Sequence, residues 1–290
     1  MAVFLLILHT TKLEDKSNSN MNKKRILIVA QEMQPYLEIS SMAKLIRYLA
    51  PHIQKNNIDV RLFMPKFGTI NEKRHRLHEV VRLSGMNIPV GNEDHPLIIK
   101  VATLQDAKMQ VYFLDNEELF KRKFIFNDEN NQAFPDNDVR MSFFCKGVME
   151  TIKKLGWKPD LIHCHGWMTS LIPMYIKTAY ANEPMFSDSK VVYSLYENAF
   201  HEKFNGDFKE KCALEDIEDK DLDHFSSGDF ISLNNAGISF SDRVIVGHEN
   251  IDPSIKERIA SMNQDSLLTY KDENEYMEAY LEFYKPLLQD

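Results

Sequence analysis

Strand-length apolar runs, separated by helical stripes, constrain this chain more than any other feature. "RILIVA" (residues 25–30), "IDVRLFMP" (58–65), "PDLIHCH" (159–165), "KVVYSLY" (190–196) and "DRVIVG" (242–247) are largely continuous rather than strictly alternating. Such runs belong to strands covered on both faces, as in a parallel sheet. The segments between them carry the period of a helix. "SSMAKLIRYLAPHIQKN" places Met42, Leu45, Ile46, Leu49 and Ile53 on one face, and Pro51 is expected to kink its last turn or end it early. A second helix starts at Asn137 or Asp138 and stops at Gly156, and two more fall within residues 166–180 and 227–241. Strand–helix–strand repetition at this spacing predicts an α/β fold with a doubly wound parallel sheet.

Three stretches between the second and third runs, "RLHEVVRLSG", "PLIIKVATLQ" and "MQVYFLDN", read as strands of a side meander or hairpin. The acidic "ALEDIEDKDLDHF" reads as a solvated loop or short helix. After a polar linker with no further strand, "DENEYMEAYLEFYKPLLQD" is amphipathic, with Tyr276, Tyr280, Phe283 and Leu287 on one side. Residues 1–22 are expected to be a disordered leader or a mis-assigned start, because "AVFLLIL" lacks a basic flank and is too short to span a bilayer. The expected organisation is one domain over residues 23–260, then a linker and C-terminal helix over 261–290 that packs on it.

A net charge of −8 argues against nucleic-acid binding and against a membrane polybasic site. Three scattered cysteines, Cys145, Cys164 and Cys212, fit reduced thiols in a cytoplasmic protein.

Taken in order, "ILIVAQEMQPYLEISSMAKLIRYLAPHIQKNNIDVRLFMPKFG", "VYFLDNEELF", "FPDND", "KKLGWKPDLIHCHGWMTSLIPMYIK" and "NNAGISFSDRVIV" resemble bacterial glycogen synthases and plant starch synthases. The resemblance covers about residues 24–259 and rests on the set rather than on any one motif. It implies the N-terminal, acceptor-side Rossmann-like lobe of a GT-B glycosyltransferase that moves glucose from ADP-glucose to a 1,4-α-glucan. In that family a second lobe holds most of the donor, and the last helix returns to pack on the first lobe. No counterpart of the donor lobe is found in the sequence, so the chain alone is expected to be inactive. The segment 274–288 has the stripe of the returning helix, as if the donor lobe had been lost ahead of it. The alternatives are a non-catalytic glucan-binding or regulatory module, or half of a split enzyme. The implied partners are an α-glucan and a separate donor-lobe or glycogen-metabolism protein, with no cofactor and no metal.

At the chemistry the resemblance breaks down. The family's nucleotide turn reads Lys-x-Gly-Gly-Leu-x-Asp; the matching positions here are Glu38, Ser40, Ser41, Met42 and Lys44. An acid replaces the phosphate-pairing lysine and side chains replace the glycines, so the turn reads as a disabled nucleotide site. The family's His-x-His-Asp-Trp becomes His163-Cys164-His165-Gly166-Trp167, which keeps the histidine beside the reacting sugar, His165, and loses the aspartate. Its Thr-Ile-His-Asn becomes Ser194-Leu195-Tyr196-Glu197, and Val-Ser-Pro becomes Val246-Gly247-His248. Trp167, Tyr196 and Glu197 are the candidate substrate-binding residues; the two rings could stack on sugars or plug the end of the sheet. His163 and His165 share a strand face and could ligate a metal with His201 or His248, though a satisfied buried pair is the simpler expectation. Glu38 and Glu197 could pair for glycoside hydrolysis, but two acids near a cleft are commonplace. Cys164 faces the other side of its strand and suits core packing.

Overall fold

The structure, a computed structural model, describes residues 23–289; the leader expected at 1–22 lies outside them. In chain order the strands are β1 (Arg25–Ala30), β2 (Asp59–Pro65), β3 (His78–Glu79), β4 (Met86–Val90), β5 (Glu93–Leu104), β6 (Met109–Asp115), β7 (Leu161–His165), β8 (Lys190–Leu195), β9 (Arg243–Val246) and β10 (Leu267–Leu268). They pair in the order β10-β9-β8-β7-β1-β2-β6-β5-β3, with β4 attached to β5. Every pairing from β10 to β6 is parallel, and those of β5 are antiparallel. The apolar run of β1 is the reason it lies in the middle: Ile26, Leu27, Ile28, Val29 and Ala30 are fully buried between helical layers.

Six longer helices cover the sheet: α1 (Ser41–Lys55), α2 (Asn137–Leu155), α3 (Leu171–Lys177), α4 (Phe230–Ser239), α5 (Pro253–Ile259) and α6 (Tyr276–Leu288). Helix α1 buries Met42, Ile46, Leu49 and Ile53, as its period predicts. Of the two outcomes expected at Pro51, the early end does not occur: the helix runs on to Lys55, since one lost backbone bond is outweighed by the burial of Leu49, Ala50 and Ile53 around it. Helix α2 stops at Gly156, whose φ of 60° is the left-handed conformation of a helix stop. Helix α4 opens on a capping box formed by Asp229 and Ser232.

Three elements depart from the sequence expectation. The run "MQVYFLDN" is no side strand: β6 lies parallel to β2 and extends the main sheet, its Val111–Leu114 stretch buried. Periodicity cannot separate a core strand from a hairpin arm, although the continuous Val-Tyr-Phe-Leu run pointed to the core. The stretch 76–85 pairs only at His78–Glu79; Leu83 N–H donates to Val80 O in a turn, and Val81 is left 79% exposed. Within the expected linker, Leu267–Leu268 forms a short strand beside β9.

Helix α6 lies on the domain. Tyr276, Tyr280, Leu281 and Tyr284 face inward, whereas Phe283 and Leu287 of the expected stripe are only half-buried. The inward ridge follows the i, i+4 row 276–280–284. Arg243 at the start of β9 donates from Nη1 to Phe283 O at 2.6 Å. Among the described residues no helix is long and apolar enough to cross a membrane.

Because β2 and β6 lie on one side of β1 and β7 on the other, the chain reverses its direction of growth between β1 and β7. In such sheets a crevice opens beyond the carboxyl ends of these two strands.

Candidate functional site

The loop leaving β1 carries Gln31 and Glu32, both buried. Glu32 folds back on the loop: Oε2 accepts from the backbone N–H groups of Ile39 and of Ser40 (2.9 Å for Ser40), and Oε1 accepts from Ser40 Oγ at 2.7 Å. Ser40 caps α1 by accepting from Met42 N–H. Burial raises the Glu32 carboxyl above its ordinary range, against the pull of these hydrogen bonds. The start of α1, where a helix would attract an anion, is thus already occupied by a carboxylate of the protein. Ser41 donates to Glu197 Oε1 at 3.1 Å, bringing a second carboxylate to the same turn. Glu38 is exposed at its rim, and Lys44 is paired with Glu273 at 2.6 Å.

Strand β7 ends in the histidine pair. The rings of His163 and His165 lie 3.7 Å apart between centroids, and both are fully buried. His163 is held at both nitrogens, by Tyr284 Oη at 2.6 Å and Ser194 Oγ at 2.7 Å. His165 Nδ1 lies 2.7 Å from Tyr196 Oη, while its Nε2 is buried without a hydrogen-bond partner among the described residues. No cluster of three or more possible metal ligands occurs among those residues. Cys164 packs into the core, where burial pushes its thiol up.

Burial holds both imidazoles neutral. It drives His163 well below 6.5, helped by neighbouring His165, and pushes His165 down to about 3. Unfolded histidines titrate near 6.5, so between there and about pH 3 the unfolded chain binds more protons, and stability falls as pH drops. The slope is about 1.4 kcal/mol per pH unit for each histidine. Glu32 acts in the opposite sense: its raised value gives stability that is full below 4.5 and lost as pH rises through the folded value. The melting temperature is therefore expected to drop between pH 7 and pH 5. A flat profile would contradict two buried neutral histidines.

Three adjacent strand ends thus carry buried polar atoms without a hydrogen-bond partner among the described residues: Gln31 Oε1 after β1, His165 Nε2 on β7, and Asn198 Oδ1 and Nδ2 after β8, where Glu197 Oε2 has only the His248 imidazole at 3.5 Å. Gln31, Glu197 and Asn198 line a cleft of ≈ 960 Å³, walled by Trp167, the 124–135 loop and the segment 199–205. Trp167 is only 3% exposed, packed on Phe126 and Phe200 with ring centroids 5.1 and 4.8 Å away. Tyr196 is 1% exposed. Neither ring offers an open face, whereas Phe124, at 44% exposure, does.

A family model described as "Starch synthase catalytic domain" matches residues 25–269. The chain belongs to this family. The glycogen synthase of Chlorobaculum parvum is 34% identical over 244 residues, covering 83% of this chain and 48% of that protein. The glycogen synthase of Chlorobium limicola is 39% identical over 173 residues, 59% of this chain and 35% of the relative. The chain therefore spans between a third and a half of the curated relatives it matches. The catalytic domain of starch synthase IV from Arabidopsis thaliana, solved with ADP and acarbose, aligns with a TM-score of 0.65 at 17% identity, over 91% of this chain and 50% of that one. The described residues form a glycogen/starch synthase-type glycosyltransferase domain with the α/β architecture of that GT-B fold.

Where this starch synthase domain departs from the motifs it resembles, the changes come in touching pairs. Gly166 is matched to the motif's aspartate on resemblance; a Cβ on it would lie 2.6 Å from Cε of Met42, matched to a leucine. Gly247 is matched in the same way to a serine, and a Cβ there would lie 2.6 Å from Cε1 of Tyr196, matched to a histidine. In each pair the neighbouring side chain lies so close to the glycine that a Cβ would meet it. Sequence reasoning named Glu38, Ser40, Ser41, Lys44, His165, Trp167, Tyr196 and Glu197. The structure joins Ser41 to Glu197 and Tyr196 to His165, and leaves Glu38 at the rim. It adds Gln31, Glu32, Asn198 and Tyr284. An acid two residues beyond the apolar run Ile26–Ala30 was the available signal for Glu32; nothing local marked Tyr284 as the partner of His163.

Proposed function

We propose that this domain binds a 1,4-α-glucan in the cleft beyond β1, β7 and β8, and that it neither holds ADP-glucose nor transfers glucose when tested alone. The observation that carries the proposal is the set of polar side chains lining the cleft beside an aromatic wall, where Gln31 Oε1 and both polar atoms of Asn198 lack a hydrogen-bond partner among the described residues and Glu197 adds a carboxylate. Buried polar groups are ordinarily paired, so a cluster of orphans in a concave site suits a ligand rich in hydroxyl groups. Against an anionic nucleotide stand Glu32, Glu38 and Glu197 around the start of α1, with Lys44 already paired. A catalytic part for His165 is proposed only in company with a donor-binding lobe; Trp167 serves glucan binding as part of the cleft wall, and Tyr196 indirectly, by holding His165 beneath it. The packing of α6 fits the reading that a closing helix has been kept although residues 261–272 are too few to hold a donor lobe.

Isothermal titration separates these possibilities. Maltoheptaose is expected to give saturable heats, and ADP-glucose none at micromolar concentration. Replacing Glu38 with Lys and Ser40 and Ser41 with Gly is expected to leave the 290-residue chain without transferase activity. Tight ADP-glucose binding by the unaltered protein would overturn the nucleotide half of the proposal, and absence of any glucan binding would overturn the other. Transfer that appears on adding a separate donor lobe would identify half of a split enzyme.

A further inference from the structure

Three lysine or arginine side chains are buried among the described residues. Lys66 pairs with Glu72 at 2.7 Å, and Arg140 lies over the rings of Phe67, Phe120, Phe126 and Phe134 at 5.3–5.9 Å. Lys146, 3% exposed on α2, has no such company. Its Nζ donates to Pro89 O of β4 at 2.9 Å, a neutral acceptor. No carboxylate among the described residues acts on its charge: burial lowers the amine to about 8, and only the Cys212 thiol opposes the shift. Buried charges are ordinarily paired, because withdrawing an ammonium from water is costly unless an anion comes with it.

Lys146 is not sealed in. It lines a cavity of ≈ 700 Å³ that shares no residue with the main cleft. The walls come from α2, the β4–β5 turn at Gly91, the turn after α3, and residues 210–216. Four carboxylates stand on them: Glu183, Glu210, Glu215 and Asp216. Glu210 accepts from Asn92 Nδ2 at 3.2 Å, and the other three form no ion pair among the described residues. Lys153, the second cation of the wall, is taken by Glu150 at 3.2 Å. Glu210, Glu215 and Asp216 are exposed whereas Lys146 is buried, so the ammonium sits at the floor and the carboxylates at the mouth. The floor lacks an anion, yet a phosphate or a dicarboxylate reaching it must pass four like charges. A molecule with one carboxylate and one ammonium meets both ends, and the volume lies within the range of small-ligand sites.

We propose that this cavity binds a small zwitterion of the amino-acid type, its carboxylate on Lys146 Nζ and its ammonium toward the carboxylates of the mouth. The site lies apart from the main cleft and does not rest on the function proposed there. A lysine held at a buried position for a ligand costs stability while the ligand is absent, and this separates it from a lysine that merely props the β4–β5 hairpin.

The test titrates the full chain calorimetrically with a panel of free amino acids, and with acetate, inorganic phosphate and putrescine as probes of one charge sign. At least one amino acid is expected to bind saturably, with acetate and putrescine about tenfold weaker or worse, since each lacks one of the two contacts. Lys146→Met is expected to weaken amino-acid binding about ten- to a hundred-fold. The same variant should melt at an unchanged or higher temperature, because an apolar side chain of similar length replaces a buried charge that has no partner. A structural prop would show the reverse, a lower melting temperature with no binding to lose. Should Lys146→Met fold poorly, the double variant Glu183→Gln, Glu215→Gln carries the test from the mouth of the cavity. It should weaken amino-acid binding about two- to five-fold and leave acetate binding the same or stronger. Unchanged amino-acid binding in either variant would overturn the site. So would the absence of amino-acid binding by the unaltered protein, or phosphate held more tightly than any amino acid.

Discussion

Replacing Tyr284 with alanine is expected to lower the unfolding free energy by about 3–5 kcal/mol, the range for deleting a buried aromatic side chain. Tyr284 is fully buried on α6, and its hydroxyl is 2.6 Å from His163 Nδ1 in the middle of the sheet. Truncation removes the ring from the inward row it shares with Tyr276 and Tyr280, and it strips a buried imidazole of a hydrogen-bond partner. Tyr284→Phe separates the two effects. It keeps the ring and loses only the hydrogen bond, for about 1–2 kcal/mol. Urea denaturation of both variants measures the difference. A loss below about 1 kcal/mol for the alanine variant would mean that α6 contributes little to the domain and that its docking is incidental.

The second large effect is expected at Gly166. Restoring the aspartate of the resembled motif, Gly166→Asp, should destabilise the fold by about 2–5 kcal/mol through two additive causes. The backbone there has φ 75° and ψ 170°, a region open essentially to glycine alone. The new Cβ would also sit 2.6 Å from Met42 Cε and 3.3 Å from Asn198 Nδ2. Met42→Ala opens the space without altering the backbone, so the double variant should recover the steric part and leave the conformational part. A double-mutant cycle by thermal or chemical denaturation reads this coupling directly. If the two changes simply add, Met42 has not taken the room that an aspartate would need.

The fold was legible in the sequence because each central strand announces itself. Ile26 to Ala30 form an unbroken apolar run, and a strand with no polar face has only the middle of a parallel sheet to occupy. Legibility fell at the edges. Residues 76–85 alternate well enough for a strand, yet a turn at Val80 ends the pairing after two residues. Leu267 and Leu268 are too short a run to stand out, and only the free edge of β9 makes a strand of them. At the site, residue identity revealed what had changed and the pattern could not reveal what compensates for it. Ser41 and Glu197 are 156 positions apart, and no local period links them. The glycine pairs are the same case: Gly166 and Gly247 read as losses in the sequence, while in space Met42 and Tyr196 lie against them where a Cβ would have to sit.

The bond between His163 and Tyr284 also fixes an order of events. It joins residues 121 positions apart, and the strand it completes lies next to β1 in the sheet. Closing so long a loop costs chain entropy that no local contact returns, so this docking follows the assembly of β1, β7 and β8. On the ribosome, the strands from β1 to β9 emerge well before Tyr284 does. Until then the His163 face of the growing sheet is open, and the nascent domain shows apolar and aromatic surface to whatever binds such surfaces in the cell. The last turns of α6 are what withdraw that surface from its neighbours.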